Sequence, residues 1–104
     1  MADERTEKAA AKAVDDERLL EGEDPGSPYL EDATHWVQVY GELLAVKRDL
    51  LGTAENALGV LEPEARREVA STDLVVLDAE MKRFSRRLEF WRQRCLDLGG
   101  TPQG

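Results

Sequence analysis

The sequence predicts an all-α fold: a long antiparallel helical hairpin of coiled-coil character that dimerises into a four-helix bundle. Two apolar ladders with alternating three- and four-residue spacing predict the helices. A short proline-bearing turn between them predicts the antiparallel hairpin. An excess of apolar positions on the first helix, beyond what one partner helix covers, predicts the second copy.

Residues 1–27 read as an acidic, disordered N-terminal arm. Glu, Asp, Lys, Arg and Ala dominate it, and it closes on Glu21-Gly22-Glu23-Asp24-Pro25-Gly26-Ser27-Pro28. Ala9 to Leu20 holds good helix formers, but its apolar stripe is weak and an isolated helix of that length is marginal in water. The hairpin is expected over 28–98, as a helix at 28–59, a turn at 60–63 and a helix at 63–98, with 99–104 a flexible tail.

Ser27-Pro28 supplies an N-cap and a first-turn proline for the first helix. Its ladder runs Trp36, Val39, Leu43, Val46, Leu50, Thr53, Ala57, Val60 and outweighs the cost of Gly41 and Gly52 inside it. Gly59 is placed to end the helix. Pro63 opens the second helix, with Glu62 and Glu64 at its positive end. The second ladder runs Leu74, Leu77, Met81, Phe84, Leu88, Trp91, Cys95, Leu98. Ser71-Thr72-Asp73 favour caps over helix interiors and mark a place where this helix is liable to split. Gly99-Gly100 terminates it.

Charge selects the pairing. With the turn centred on Glu62, Glu42 comes to face Lys82, and Lys47 to face Asp78. The basic end of the second helix meets Glu31, Asp32 and the arm, as flanking coiled-coil charges encode. Beside the main seam, Val37, Tyr40, Leu44, Leu51 and Leu58, with Val76 and Phe90 on the second helix, form the expected dimer interface.

Composition narrows the function. A net charge of −8 argues against a general nucleic-acid binder and against attraction to anionic membranes. The single Cys95 makes no internal disulfide, and the polar Met1–Lys12 stretch lacks a signal-peptide core. A cytoplasmic protein is the expectation. His35 is the sole histidine, with no zinc-type spacing around it, and Cys95 sits in the ladder as a small hydrophobe. No catalytic residue, metal or cofactor is therefore expected. Trp36, Tyr40, Phe84, Phe90 and Trp91 read as an aromatic plug at the open end of the hairpin.

The leading expectation is a non-catalytic interaction module, a regulator or adaptor that pairs with itself and with another protein. The alternative is a binder of an anionic, phosphate-bearing ligand. Met81 to Arg94 carries six basic residues against Glu89 alone, and Arg83, Arg86, Arg87, Arg92 and Arg94 supply planar forks suited to phosphate oxygens. A third reading inserts the tip, with Glu62 and Glu64, into a larger assembly.

Overall fold

The computed structural model describes residues 18–101, in which all regular structure is helical. Helix α1 spans Leu30–Leu58 and α2 spans Pro63–Val69. A π-helical segment follows at Ala70–Leu74, and α3 spans Val75–Asp97. The last three run on from one another as the second limb of a hairpin, with α3 packed along α1. The expectations for residues 1–17 and 102–104 lie outside the described residues.

Helix α1 begins two residues later than the Ser27-Pro28 pair suggests. Tyr29, in extended conformation, is the residue at its N-cap. Ser27 acts just upstream instead: its Oγ donates to Asp32 and accepts the Tyr29 N–H, and the residue is buried. Helix α1 stops at Leu58 as expected, but Gly59 stays right-handed. The Ala57 and Leu58 carbonyls accept the Val60 and Leu61 amides. Arg66 braces the turn, donating from Nε to the Leu58 oxygen and from Nη2 to the Leu61 oxygen, both at 3.1 Å. Pro63 opens α2 as expected.

At Ser71–Asp73 the second limb neither splits nor stays regular. Ser71 Oγ and Thr72 Oγ1 both donate to the Glu68 carbonyl at 3.0 Å, competing with the helix's own amides for that acceptor. The backbone accommodates this as a π segment, the equivalent of one inserted residue. At the other end, Gly99 takes φ +89°, a conformation that strains any residue with a side chain, and its N–H reaches the Leu96 carbonyl. The Gly100 N–H reaches back to Cys95 at 2.8 Å, so the helix closes in a Schellman turn.

The second ladder packs as the spacing predicts, with Phe84, Leu88, Trp91 and Cys95 buried. On α1 the assignment of faces is corrected. Ala33, Val37, Tyr40 and Leu44 are the buried residues of this helix, so the face expected to be spare is the one that meets α3. The expected seam is shifted outward: Val39 and Leu43 are half-buried at the rim, while Val46 is 56%, Leu50 50% and Val60 86% exposed. The charge register is corrected with it. Lys47 pairs with Glu80 at 3.2 Å, not with Asp78, and Lys82 pairs with Asp78 on its own helix. Trp36 stacks on Trp91 at 6.5 Å and Tyr40 meets Phe84 at 5.9 Å.

All the buried residues of the two limbs lie at the open end, between Ala33 and Leu44 on one side and Ala79 and Cys95 on the other. Between 45 and 78 the hairpin holds Val46, Leu50, Leu51, Leu58, Leu61, Val69, Leu74, Val75, Val76 and Leu77, and none of them is buried. Two helices alone make a thin core there.

Candidate functional site: a carboxylate cage at the open end

Residues 18–29 precede α1 without helix and lie as a strap across the open end. Gly22, at φ +85°, turns the strap, and the Glu23 N–H closes the turn on the Leu20 carbonyl at 3.0 Å. In return the Leu20 N–H donates to Glu23 Oε1 at 2.9 Å. A second turn follows, with Asp24 accepting from Gly26 and Ser27. Leu20 packs against the core cluster, and the Glu23 side chain is buried.

The Glu23 carboxylate is met by donors from both limbs. Tyr40 Oη donates to Oε1 at 2.5 Å. Trp91 Nε1 donates to Oε2 at 2.7 Å, and Arg87 reaches the same oxygen from Nη2 at 2.7 Å and Nε at 3.3 Å. With the Leu20 amide, five donors fill the acceptor capacity of one ionised carboxylate. Arg87 is held in place by the Phe90 ring, 4.5 Å from its guanidinium carbon. With the strap in place Tyr40 and Trp91 are fully buried, each packed against a neighbouring ring, Phe84 and Trp36 respectively.

The electrostatics follow from this geometry. Burial alone would raise the Glu23 carboxyl, but the hydrogen bonds from Tyr40, the Leu20 amide, Trp91 and Arg87 outweigh it and hold the group below its ordinary value. Burial, and then the adjacent carboxylate, push Tyr40 up to about 12, so it stays a protonated donor. Arg83 is 1% exposed and stands over the Phe84 ring at 4.6 Å. Burial, followed by the nearby Arg18, presses its pKa down, offset in part by Tyr40, Glu80 and Glu23. Its Nε and Nη1 have no hydrogen-bond partner.

The five arginines singled out in the sequence do not form one open cluster. Arg83 is inside, Arg87 is bound to Glu23, and Arg94 donates to the Ser27 carbonyl at 3.0 Å. Arg86 is exposed and, with Arg94, lines a shallow groove of about 460 Å³ that also includes Phe90. Arg92 is half-buried beside them in sequence, with its Nε unpartnered. Of the seven apolar residues expected at an interface, Val37, Tyr40 and Leu44 lie in the core, Leu51, Leu58 and Val76 are half-buried, and Phe90 is 37% exposed. The tip acids are both exposed, with Glu64 3.9 Å from Arg67.

Spacing alone does not reveal the cage. In the sequence Glu23 reads as one more solvated acid, Tyr40 as a spare-face residue and Trp91 as part of a plug. The one available signal is the acidic arm opposite a basic helix end, which marks attraction but selects no particular carboxylate.

Among the described residues, no group of His, Cys, Asp and Glu is placed to hold a metal ion, and no helix is long and apolar enough to cross a membrane. Fold and site together define a strapped helical hairpin. Comparison with protein-family models, with curated proteins and with solved structures finds no match to this chain.

Proposed function

We propose that this chain is a non-catalytic interaction module, a regulator or adaptor, that acts as a homodimer of hairpins packed along their distal arms. The observation that carries the proposal is the unburied stretch from 45 to 78, whose outward face continues the three-and-four ladder Val39, Leu43, Val46, Leu50. A ladder of that spacing is suited to another helix, and a second copy offers the same ladder to a two-fold axis. Leu50, Val46 and Val75 are each about half exposed, and full burial of such a side chain contributes roughly 1.5–3 kcal/mol. Covering the exposed halves on both copies therefore contributes several kcal/mol, enough to offset part of the entropy of association.

The proposed interface thus moves from Val37, Tyr40 and Leu44 to Val39, Leu43, Val46, Leu50 and Val75. The test is molar mass by light scattering across a dilution series, for the wild-type chain and for Leu50→Glu. A concentration-dependent dimer, lost in Leu50→Glu with helicity by circular dichroism retained, is the expected result. A wild-type chain that is monomeric throughout overturns the homodimer.

A further inference from the structure

The hairpin supplies four of the five hydrogen bonds that hold Glu23, through Tyr40, Trp91 and both donors of Arg87. The fifth comes from the strap's own Leu20 amide. The occupant is thus a compact unit: an apolar residue, a turn, and a carboxylate three positions later, with Leu20 on the core cluster and Glu23 in the cage. Between Leu20 and Ser27 only Glu23 and the half-buried Pro25 are covered, while Glu21, Gly22, Asp24 and Gly26 are exposed. The strap is tied down again at Ser27, which is buried, bonds Asp32 and accepts from Arg94. Beside the cage, Arg83 is buried with two guanidinium nitrogens unpartnered, an arrangement that is costly unless something satisfies it.

We propose that the cage is a binding site for an acidic peptide turn of a partner protein, an apolar residue followed three positions later by a glutamate, which this chain's own strap occupies in cis. The partner's turn replaces Leu20 and Glu23 at their two anchors, and a further acidic residue on it satisfies Arg83. The donor set favours a carboxylate over a phosphate. Tyr40, Trp91 and Arg87 surround two oxygens, and a phosphate's remaining oxygens would face buried rings. A phosphate also has no counterpart of Leu20.

The test uses the full chain carrying Glu23→Ala, which empties the cage, and a synthetic peptide of the strap, Arg18 to Pro28. Binding is read from the Trp91 indole N–H resonance. The peptide is expected to bind the Glu23→Ala chain at least about tenfold more tightly than it binds the wild-type chain, whose cage is filled. A strap peptide carrying Glu23→Gln, or one carrying Leu20→Ser, is expected to lose at least about tenfold in affinity. Millimolar inorganic phosphate is expected to leave the resonance unmoved. Absence of binding to a folded Glu23→Ala chain, undiminished binding of the Glu23→Gln peptide, or a response to phosphate in place of the peptide overturns the proposal. If the Glu23→Ala chain does not fold, hydrogen exchange on the wild-type chain decides. A Glu23 amide that exchanges at least about tenfold faster than the core amides of α3 supports a liftable strap, and one that exchanges only with global unfolding refutes it.

Discussion

Replacing Glu23 by glutamine keeps the shape of the side chain and removes its charge. With the amide oxygen on the Tyr40 side, the amide nitrogen points at Trp91 Nε1 and Arg87, donor against donor. Three hydrogen bonds are lost, and two side chains of low exposure are left without an acceptor. Breaking a buried ion pair by removing one partner costs about 3–5 kcal/mol. The chain can limit this cost by letting the strap leave, so the loss is expected at the lower end of that range, about 3 kcal/mol. The assay is urea unfolding of wild type and Glu23→Gln at pH 7, followed by tryptophan fluorescence. The slope against urea is expected to fall as well, because a lifted strap leaves less surface to expose on unfolding. The pH dependence has a fixed sign. The folded Glu23 pKa lies below its ordinary 4.5, so the wild-type advantage is complete above that value and is lost as pH falls through the folded pKa. The gap between the two proteins must therefore narrow in acid. A difference at pH 7 below about 0.5 kcal/mol, the range of an ordinary surface substitution, or a gap indifferent to acid, refutes the cage as a stabilising contact.

Two further outcomes follow from the packing. Leu44→Ala should cost about 2–5 kcal/mol in chemical denaturation, whereas Leu50→Ala at concentrations where the chain is monomeric should cost less than about 1 kcal/mol, since one side chain is 3% and the other 50% exposed. Equal losses would restore the assignment of faces that the spacing suggests. Deleting Thr72 should remove the π segment and join α2 to α3 with the register of Phe84, Leu88 and Trp91 unchanged, leaving cooperative thermal melting intact by circular dichroism. Collapse of the melting transition would show that the segment is not a one-residue insertion.

Much of the fold is legible in the sequence because helical periodicity is a local property. The ladder from Leu74 to Leu98, the start at Pro63 and the stop at Gly99 each depend on neighbours within one or two turns. The weak point at Ser71–Asp73 is legible as well, through hydroxyl side chains that compete for backbone carbonyls. Its outcome as a π segment is not, because tertiary packing holds the limb together around it. Helix α1 is harder for a specific reason: it carries two apolar ladders side by side, Val39-Leu43-Val46-Leu50 and Val37-Tyr40-Leu44. Either satisfies the spacing rule.

What the sequence determined by itself is therefore the helical class, the antiparallel turn and the inward face of the second limb. The tertiary structure decided which ladder of α1 turns inward. It placed Tyr40 where its hydroxyl meets a carboxylate and its ring meets Phe84, and left Val46 and Leu50 outside. It also decided the strap. Arg87 and Glu23 are 64 positions apart, and no local pattern distinguishes Glu23 from Glu21 or Asp24. Only the assembled cage, with rings that fix the direction of its donors and burial that strengthens their attraction, selects one carboxylate among several.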